Sequence, residues 1–291
     1  FYFENVRHLF SFKMSHNFYL CYMTIEQLYA IYKASPSIQT DTRKLKAGDI
    51  FFALKGDNFN GNQFAKSALE AGAAFAVIDE AQYLSGDNMM LVPDALKALQ
   101  ELALYHRRQF SIPFIAITGS NGKTTTKELV HAVLSTTYRT STTEGNLNNH
   151  IGIPLTILKI PTDAEMAVVE MGANHQKEIE SYCKYTEPTH GLITNLGKAH
   201  LEGFGGVEGV RKGKGELFDY LRAHNGTAFV LWDDIYLQQM ASGINTVIRY
   251  GQSGGDYTGI AVKGEDEKQT PFLTVKLTNG TVGGNIHTQL V

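Results

Sequence analysis

The chain has 291 residues, of which 43% are hydrophobic and 19% charged, and its net charge is −3. That length corresponds to about two domains, and the apolar content is enough to bury a core, which excludes a disordered chain. No basic excess points to nucleic acid. Cys21 and Cys183 alone cannot build a disulfide scaffold or a four-cysteine zinc site, and no apolar run approaches the roughly 18–20 residues that span a bilayer.

The chain begins at Phe1, and residues 1–22 are aromatic-rich without the pattern of a signal peptide. Met23 precedes Thr24, a capping residue, and then the periodic run Ile25-Glu26-Gln27-Leu28. Residues 1–22 are therefore read as an upstream extension. Residues 49–54 (Asp-Ile-Phe-Phe-Ala-Leu) predict a buried strand, and residues 63–71 a helix closed by Gly72. Residues 73–79 predict a second strand. Pro93 is expected to open a helix reaching residue 109, with Leu96, Leu99, Leu102 and Ala103 on one face. These elements make a first domain over residues 23–110.

From Pro113 apolar strands alternate with amphipathic helices. Strands are predicted at 114–118, 166–171, 191–195, 228–232 and 246–250. Helices are predicted at 123–136, 176–185, 207–221 and 233–241. This alternation argues for an α/β fold with a mainly parallel sheet covered on both faces. After Gly251 three segments, 257–263, 272–278 and 281–290, read as an antiparallel meander with Asn279-Gly280 as a hairpin turn. The second domain is placed at residues 111–291. The chain stops within that meander, so it is expected to be a C-terminally incomplete piece.

Four segments carry chemistry. In the first, strand 114–118 runs into Gly119-Ser120-Asn121-Gly122-Lys123-Thr124-Thr125 and then a helix. Glycines let backbone N–H groups turn inward around phosphate oxygens, and a helix N-terminus adds partial positive charge. Lys123 would reach the phosphates and the Thr124 hydroxyl a Mg²⁺ ion. The loop is shorter than the usual phosphate loop, since the position of its first glycine is Ile117. In the second, Glu170 ends the strand of Ala167-Val168-Val169, where open α/β sheets bind ligands and where a carboxylate can hold Mg²⁺. The third, Ile193 to Gly205, brings His200 into a polar loop, and the fourth places Arg211, Lys212 and Lys214 on the next helix. Read alone, His200 is an ordinary loop histidine and the lysines a solvated basic face.

Together these segments resemble the ATP-dependent Mur ligases of peptidoglycan synthesis, over about residues 23–291. Asn146, Asn148 and Asn149 in Glu144–Thr156, with Glu170-Met171-Gly172-Ala173-Asn174-His175, resemble the branch of the family that adds D-alanyl-D-alanine. Asp41-Thr42-Arg43, residues 48–56 and Ala71-Gly72-Ala73 resemble its UDP-sugar domain. The chain departs from the family at Asn60-Gly61-Asn62, where Asp-Gly-His is usual, and these 291 residues are expected not to include the family's third, C-terminal domain.

The resemblance implies a cytoplasmic, monomeric amide ligase. It would phosphorylate the terminal carboxylate of a UDP-N-acetylmuramoyl-tripeptide with ATP, then join D-alanyl-D-alanine through the acyl phosphate. Gly119 to Thr125 would bind ATP, with Lys123 on the transferring phosphate. Thr124 and Glu170 would hold one Mg²⁺. His200 and Lys214 would hold another, with Lys214 carbamoylated by CO₂ and Lys212 the rival position. Thr42 and Arg43 would contact the UDP group, and Asn146, Asn148 and Asn149 the muramoyl peptide. The piece alone is expected to be inactive. A folate-glutamate amide ligase and a non-catalytic nucleotide-binding remnant stay open as alternatives.

Overall fold

The computed structural model describes residues 22–197, 200–262, 274–279 and 282–287; most of the N-terminal extension, Lys198 and Ala199, and Gly280 lie outside them. The chain divides into two compact units, Phe1–Phe110 with Pro154–Lys159, and Ser111–Ile153 with Ile160–Val291.

In the first unit, helix α1 (Ile25–Ala34) opens on a capping box, in which the Thr24 hydroxyl accepts from Gln27 N and the Gln27 side chain answers to Thr24 N. Four parallel strands follow: β1 (Ile38–Gln39), β2 (Ile50–Phe52), β5 (Phe75–Ile78) and β6 (Met89–Leu91), in the order β1-β2-β5-β6. A short hairpin, β3 (Lys55–Gly56) and β4 (Phe59–Asn60), leaves β2. The expected helix over 63–71 is a 3-10 turn, Gly61–Phe64, continued by α2 (Ala65–Glu70). The helix after Pro93 starts two residues later than expected. Asp94 is its N-cap, accepting from Lys97 N at 2.8 Å, and α3 spans Ala95–Arg107. Phe51, Ala65, Ala68, Ala76, Ile78 and Leu91 form the core between α2 and the sheet.

Among the described residues the second unit holds a nine-stranded sheet of β7 (Phe114–Thr118), β8 (Thr140–Thr142), β9 (Met166–Glu170), β10 (His190–Ile193), β11 (Thr227–Leu231), β12 (Thr246–Gly251), β13 (Tyr257–Val262), β14 (Thr274–Asn279) and β15 (Val282–His287). Its order is β15-β14-β13-β12-β11-β10-β7-β9-β8. Seven strands, from β8 to β13, run parallel, while β14 and β15 are antiparallel. The expected meander is thus an extension of the same sheet, because Tyr250 and Gly251 pair with Tyr257 and Thr258. Asn279 pairs with Val282 across the expected hairpin turn.

The helices are α4 (Lys123–Leu134), α5 (Gly152–Leu158), α6 (Glu178–Thr186), α7 (Leu201–Phe204), α8 (Val207–Ala223) and α9 (Ile235–Met240). Val130 and Leu134 of α4 pack on Ile115, Ile117, Val168 and Leu192. Successive strand residues face opposite ways, and on the other face Gly191 meets Leu217 and Leu221 of α8. Burial on both faces explains why β7 is apolar at nearly every position. Helix α6 begins later than expected, since Lys177 takes a left-handed conformation (φ 72°) and becomes its N-cap.

Chain order places the site. From β7 the chain leaves to β8 and β9 on one side, then crosses to β10 on the other. The strand order reverses at β7, and ligands of open α/β sheets bind at the carboxyl ends of strands beside such a reversal.

Candidate phosphate and metal site

The glycine loop leaves β7 at that reversal. Gly119 has φ 146°, and a Cβ on it would collide with Thr194 Oγ1, so no other residue fits without displacing β10's exit. Gly122 has φ 74° and starts α4 with no side-chain cap, which leaves the helix N-terminus open. Neighbouring residues hold the loop from behind. Asn121 O accepts from Thr194 Oγ1 at 2.6 Å and from Asn195 Nδ2 at 3.0 Å. Ser120 N donates to Asn195 O, Asn121 N to Asn195 Oδ1, and Gly197 N to Ser120 Oγ. Thr194 and Asn195 lie in the 193–205 segment, where the sequence gives a role only to His200. Their signal is polar residues at the end of a strand that neighbours the loop strand.

Lys123 Nζ donates to Gly119 O at 2.9 Å and Ser120 O at 3.2 Å, so its amine folds over the loop. Burial lowers its pKa, against the opposing pull of Glu170. One turn of α4 starts with Thr124, whose hydroxyl lies 3.2 Å from Glu170 Oε1. Asn148 Nδ2 donates to the same oxygen at 2.7 Å. Glu170 is 1% exposed, and its Oε2 is buried with no hydrogen-bond partner among the described residues. A buried anionic oxygen in that state is short of a cation or donor. Thr124 and Glu170 offer hard oxygens, which suit Mg²⁺, an ion that normally takes few protein ligands and fills its shell from phosphates and water. No group of three or more His, Cys, Asp or Glu side chains is gathered for a metal among the described residues. The residues present therefore fit a phosphate-bound Mg²⁺ and not an all-protein cage.

The other sequence-predicted residues fall in three places. Lys214 is 2% exposed, whereas Lys212 on the same helix is exposed. Lys214 Nζ donates to Ala173 O at 3.0 Å and lies 5.0 Å from the Phe204 ring centroid. Burial, aided by the positive charge of Lys123, lowers its pKa to about 8. Glu216, two residues on, caps α6 from outside by accepting from Lys177 N and Glu180 N. His200 is exposed with φ 56°, and no contact among the described residues joins it to Lys214. Asn149 turns its Oδ1 to Ile151 N and Gly152 N at the start of α5, a capping role. Asn146 is exposed and its carbonyl accepts from Asn148 N. The structure therefore brings Asn148, and not Asn146 or Asn149, to the carboxylate.

Thr42 and Arg43 belong to the first unit, in a 3-10 turn after β1. Arg43 is exposed and grips Asp41 with two hydrogen bonds of 2.9 and 2.8 Å. Those bonds draw the Asp41 pKa down to about 2. The Asn60-Gly61-Asn62 departure is an interior polar cluster. Asn62 is 1% exposed and donates to Asn60 Oδ1 and Asp79 Oδ1, and Lys55 reaches Asp79 at 3.1 Å. Beside it Lys55, Asn60, Phe59 and Phe64 line a cavity of about 460 Å³ that sequence reading did not single out. No helix among the described residues is long and apolar enough to cross a membrane.

Two family descriptions match the chain. Residues 117–290 match the Mur ligase middle domain, and residues 36–108 match the catalytic domain of the Mur ligase family. The chain is similar to the UDP-N-acetylmuramoyl-tripeptide–D-alanyl-D-alanine ligase of Bacillus subtilis, 41% identical over 70% of this chain and 45% of the relative. With that of Escherichia coli it is 43% identical over 68% of this chain and 43% of the relative. The chain thus spans about half the length of the curated relatives it matches. Among solved structures, MurF from Acinetobacter baumannii superposes with a TM-score of 0.78 at 29% identity, covering 90% of this chain and 60% of that one. MurF from Thermotoga maritima in complex with ADP gives 0.77 at 28% identity, covering 87% of this chain and 58% of that one. With the middle-domain match alone running from residue 117 to 290, the chain belongs to the Mur ligase family.

Proposed function

We propose that the chain forms the nucleotide-sugar and ATP portions of a ligase that joins D-alanyl-D-alanine to a UDP-N-acetylmuramoyl-tripeptide. The observation that carries the reading is the glycine loop at the sheet's reversal point with the orphaned Glu170 oxygen beside Thr124. Identities of 41% and 43% to ligases of that name support the choice of substrates.

In this reading the N–H groups from Gly122 onward, at the open N-terminus of α4, take the ATP phosphates, while Ser120 N and Asn121 N stay bonded to Asn195. Lys123 exchanges its carbonyl partners for phosphate oxygens and holds charge on the transferring group. Thr124 and Glu170 would hold Mg²⁺, which when bound neutralises phosphate oxygens. The tripeptide carboxylate displaces ADP from the γ-phosphorus, giving an acyl phosphate. The amine of D-alanyl-D-alanine, having lost a proton to solvent, then attacks the acyl carbon and expels phosphate.

Lys214 supports a second anionic position. A pKa near 8 leaves a substantial share of neutral amine at mildly alkaline pH. That amine can add CO₂: the nitrogen lone pair forms the C–N bond, one N–H proton leaves to water, and a carbamate anion remains. Such a carbamate and His200 would complete a second Mg²⁺ position. Thr42 and Arg43 would hold the UDP phosphates, since Arg pairs well with phosphate.

The test is calorimetry on the 291-residue chain. ATP should bind with Mg²⁺ present and far more weakly without it, and the UDP-muramoyl tripeptide should bind without ATP. A folded chain that binds no nucleotide at millimolar Mg²⁺ would overturn the reading.

A further inference from the structure

Lys127 stands outside every role given so far. It lies on the second turn of α4, three residues after Thr124, so the two side chains share one face of the helix. Its side chain is 0% exposed, which is rare for lysine. Nζ donates to Thr143 O at 2.6 Å and meets the exposed Glu128 at 2.7 Å. A lysine that only braced a helix could reach water within its own length. This one is instead buried, and its ammonium is shared between the Thr143 carbonyl and the carboxylate of the next residue, Glu128.

Thr143 is the residue that follows β8, and it is itself fully buried. Its N–H donates to Val168 O, and its Oγ1 accepts from Glu170 N at 3.0 Å. Its carbonyl belongs to Lys127. Five residues later Asn148 donates to Glu170 Oε1, while its carbonyl accepts from Gly172 N at 2.7 Å. Segment 143–148 is thus a strap tied to β9 at both ends, and its first tie point is fixed to α4 by Lys127. Thr124, at the head of the same helix, touches the same carboxylate oxygen. A closed path runs from Lys127 through Thr143, the Glu170 backbone and the Glu170 carboxylate to Thr124 and back along α4.

We infer that Lys127 is a positioning residue: it clamps the 143–148 strap to α4 and so holds the Glu170 carboxylate, through Asn148 and Thr143, in the orientation that leaves Oε2 toward a divalent cation. The inference rests on reading Glu170 as a metal ligand. Lys127 itself touches neither cation nor nucleotide. A preorganised carboxylate binds a metal more tightly because its orientation is fixed before binding.

The test uses Lys127→Met in the whole chain, which keeps an unbranched stem and removes the ammonium. Nucleotide binding is titrated by calorimetry against Mg²⁺, and independently Mn²⁺ binding is followed by electron paramagnetic resonance. The expected result is a rise of about tenfold in the metal concentration needed at half saturation, with ADP affinity in the absence of metal unchanged. Asn148→Ala should give the same shift, and the double variant should add little to either, because both act through one carboxylate. A bracing role alone would lower the melting temperature and weaken metal-free and metal-bound nucleotide alike. Equal metal midpoints in the variant and the parent would overturn the proposal. If Lys127→Met does not fold, Lys127→Arg is read in the same way, because its longer planar head keeps the charge but cannot keep the 2.6 Å geometry. A smaller shift in metal midpoint supports the proposal, and no shift overturns it. Failure of the parent chain to bind Mg²⁺ with nucleotide would count against the metal site itself and not against Lys127.

Discussion

The two units present polar side chains at the carboxyl ends of parallel strands, but they treat those side chains differently. In the first unit the polar groups satisfy one another: Asn60, Asn62, Asp79, Lys55 and Glu80 form one network, and Arg43 is closed on Asp41. In the second unit the network stops short. Glu170 Oε2 has no partner among the described residues, and the buried ammonium of Lys214 has a carbonyl where a carboxylate would be expected. A saturated network stabilises its surroundings, whereas a buried unsaturated one persists only where something else completes it. In the proposed function this contrast matches chemistry in the second unit and recognition in the first.

Lys123→Ala should separate the units most sharply. Nucleotide affinity with Mg²⁺ should fall on the order of a thousandfold, while the melting temperature stays within a degree or two, because Lys123 bonds only to carbonyls of its own loop and ties no second element to it. UDP-sugar binding should not change. Calorimetry with both ligands reads the outcome, and equal losses for both would erase the distinction between the units.

Gly119→Ala comes next. At φ 146° an alanine is strained, and its methyl would strike Thr194 Oγ1, which also anchors Asn121. A loss of about 100-fold in nucleotide affinity is expected, with a destabilisation of about 2 kcal/mol seen by urea unfolding. Retained affinity would mean that the loop does not hold phosphate in this form.

The loop was legible in sequence because it is local: strand, glycines, Lys-Thr and helix lie within a dozen residues. Buried parallel strands such as β7 and β9 were legible as continuous apolar runs. Strand β8 was not, since Thr140–Thr142 is three half-buried polar residues on a sheet edge, where no apolar period survives. The same limit applies to the site. Asn148 and Glu170, or Lys127 and Thr143, meet only through tertiary folding, and nothing in their spacing announces it. Asn149 looked equal to Asn148 in sequence. Only the start of α5 shows that one caps a helix and the other reaches a carboxylate.

Lys214 sharpens the comparison through pH. Its folded pKa of about 8 lies below the free-lysine value of 10.5. Between those values the unfolded chain holds a proton that the folded chain does not. Stability should therefore fall as pH drops from about 10.5 to about 8, and should not fall further on this account below 8. The shift corresponds to about 3 kcal/mol. In CO₂-free buffer Lys214→Met should lack this slope, whereas Lys212→Met, on the exposed side of α8, should keep it. Urea unfolding at pH 8 and pH 10 compares the three proteins. With ¹³C-labelled CO₂, a carbamate signal should disappear in Lys214→Met alone. A signal lost in Lys212→Met instead would move the second anionic position to Lys212.

The smallest effect should come from the first unit. Arg43 is exposed and already paired with Asp41, so Arg43→Ala should leave the melting temperature unchanged, as surface ion pairs contribute little. Binding of a UDP-sugar should nevertheless weaken about tenfold, because a guanidinium held by one carboxylate still has donors to offer a phosphate. Asp41→Asn tests the same point from the other side. With the carboxylate neutralised, Arg43 keeps its full charge for the ligand but loses one of the two bonds that fix its orientation, because an amide has a single acceptor oxygen. If orientation matters more than charge, Asp41→Asn will weaken UDP-sugar binding as well. If charge matters more, binding will tighten. Unchanged affinity in both variants would remove the 42–43 turn from the recognition surface and leave the cavity beside Lys55, Phe59 and Phe64 as the place to look.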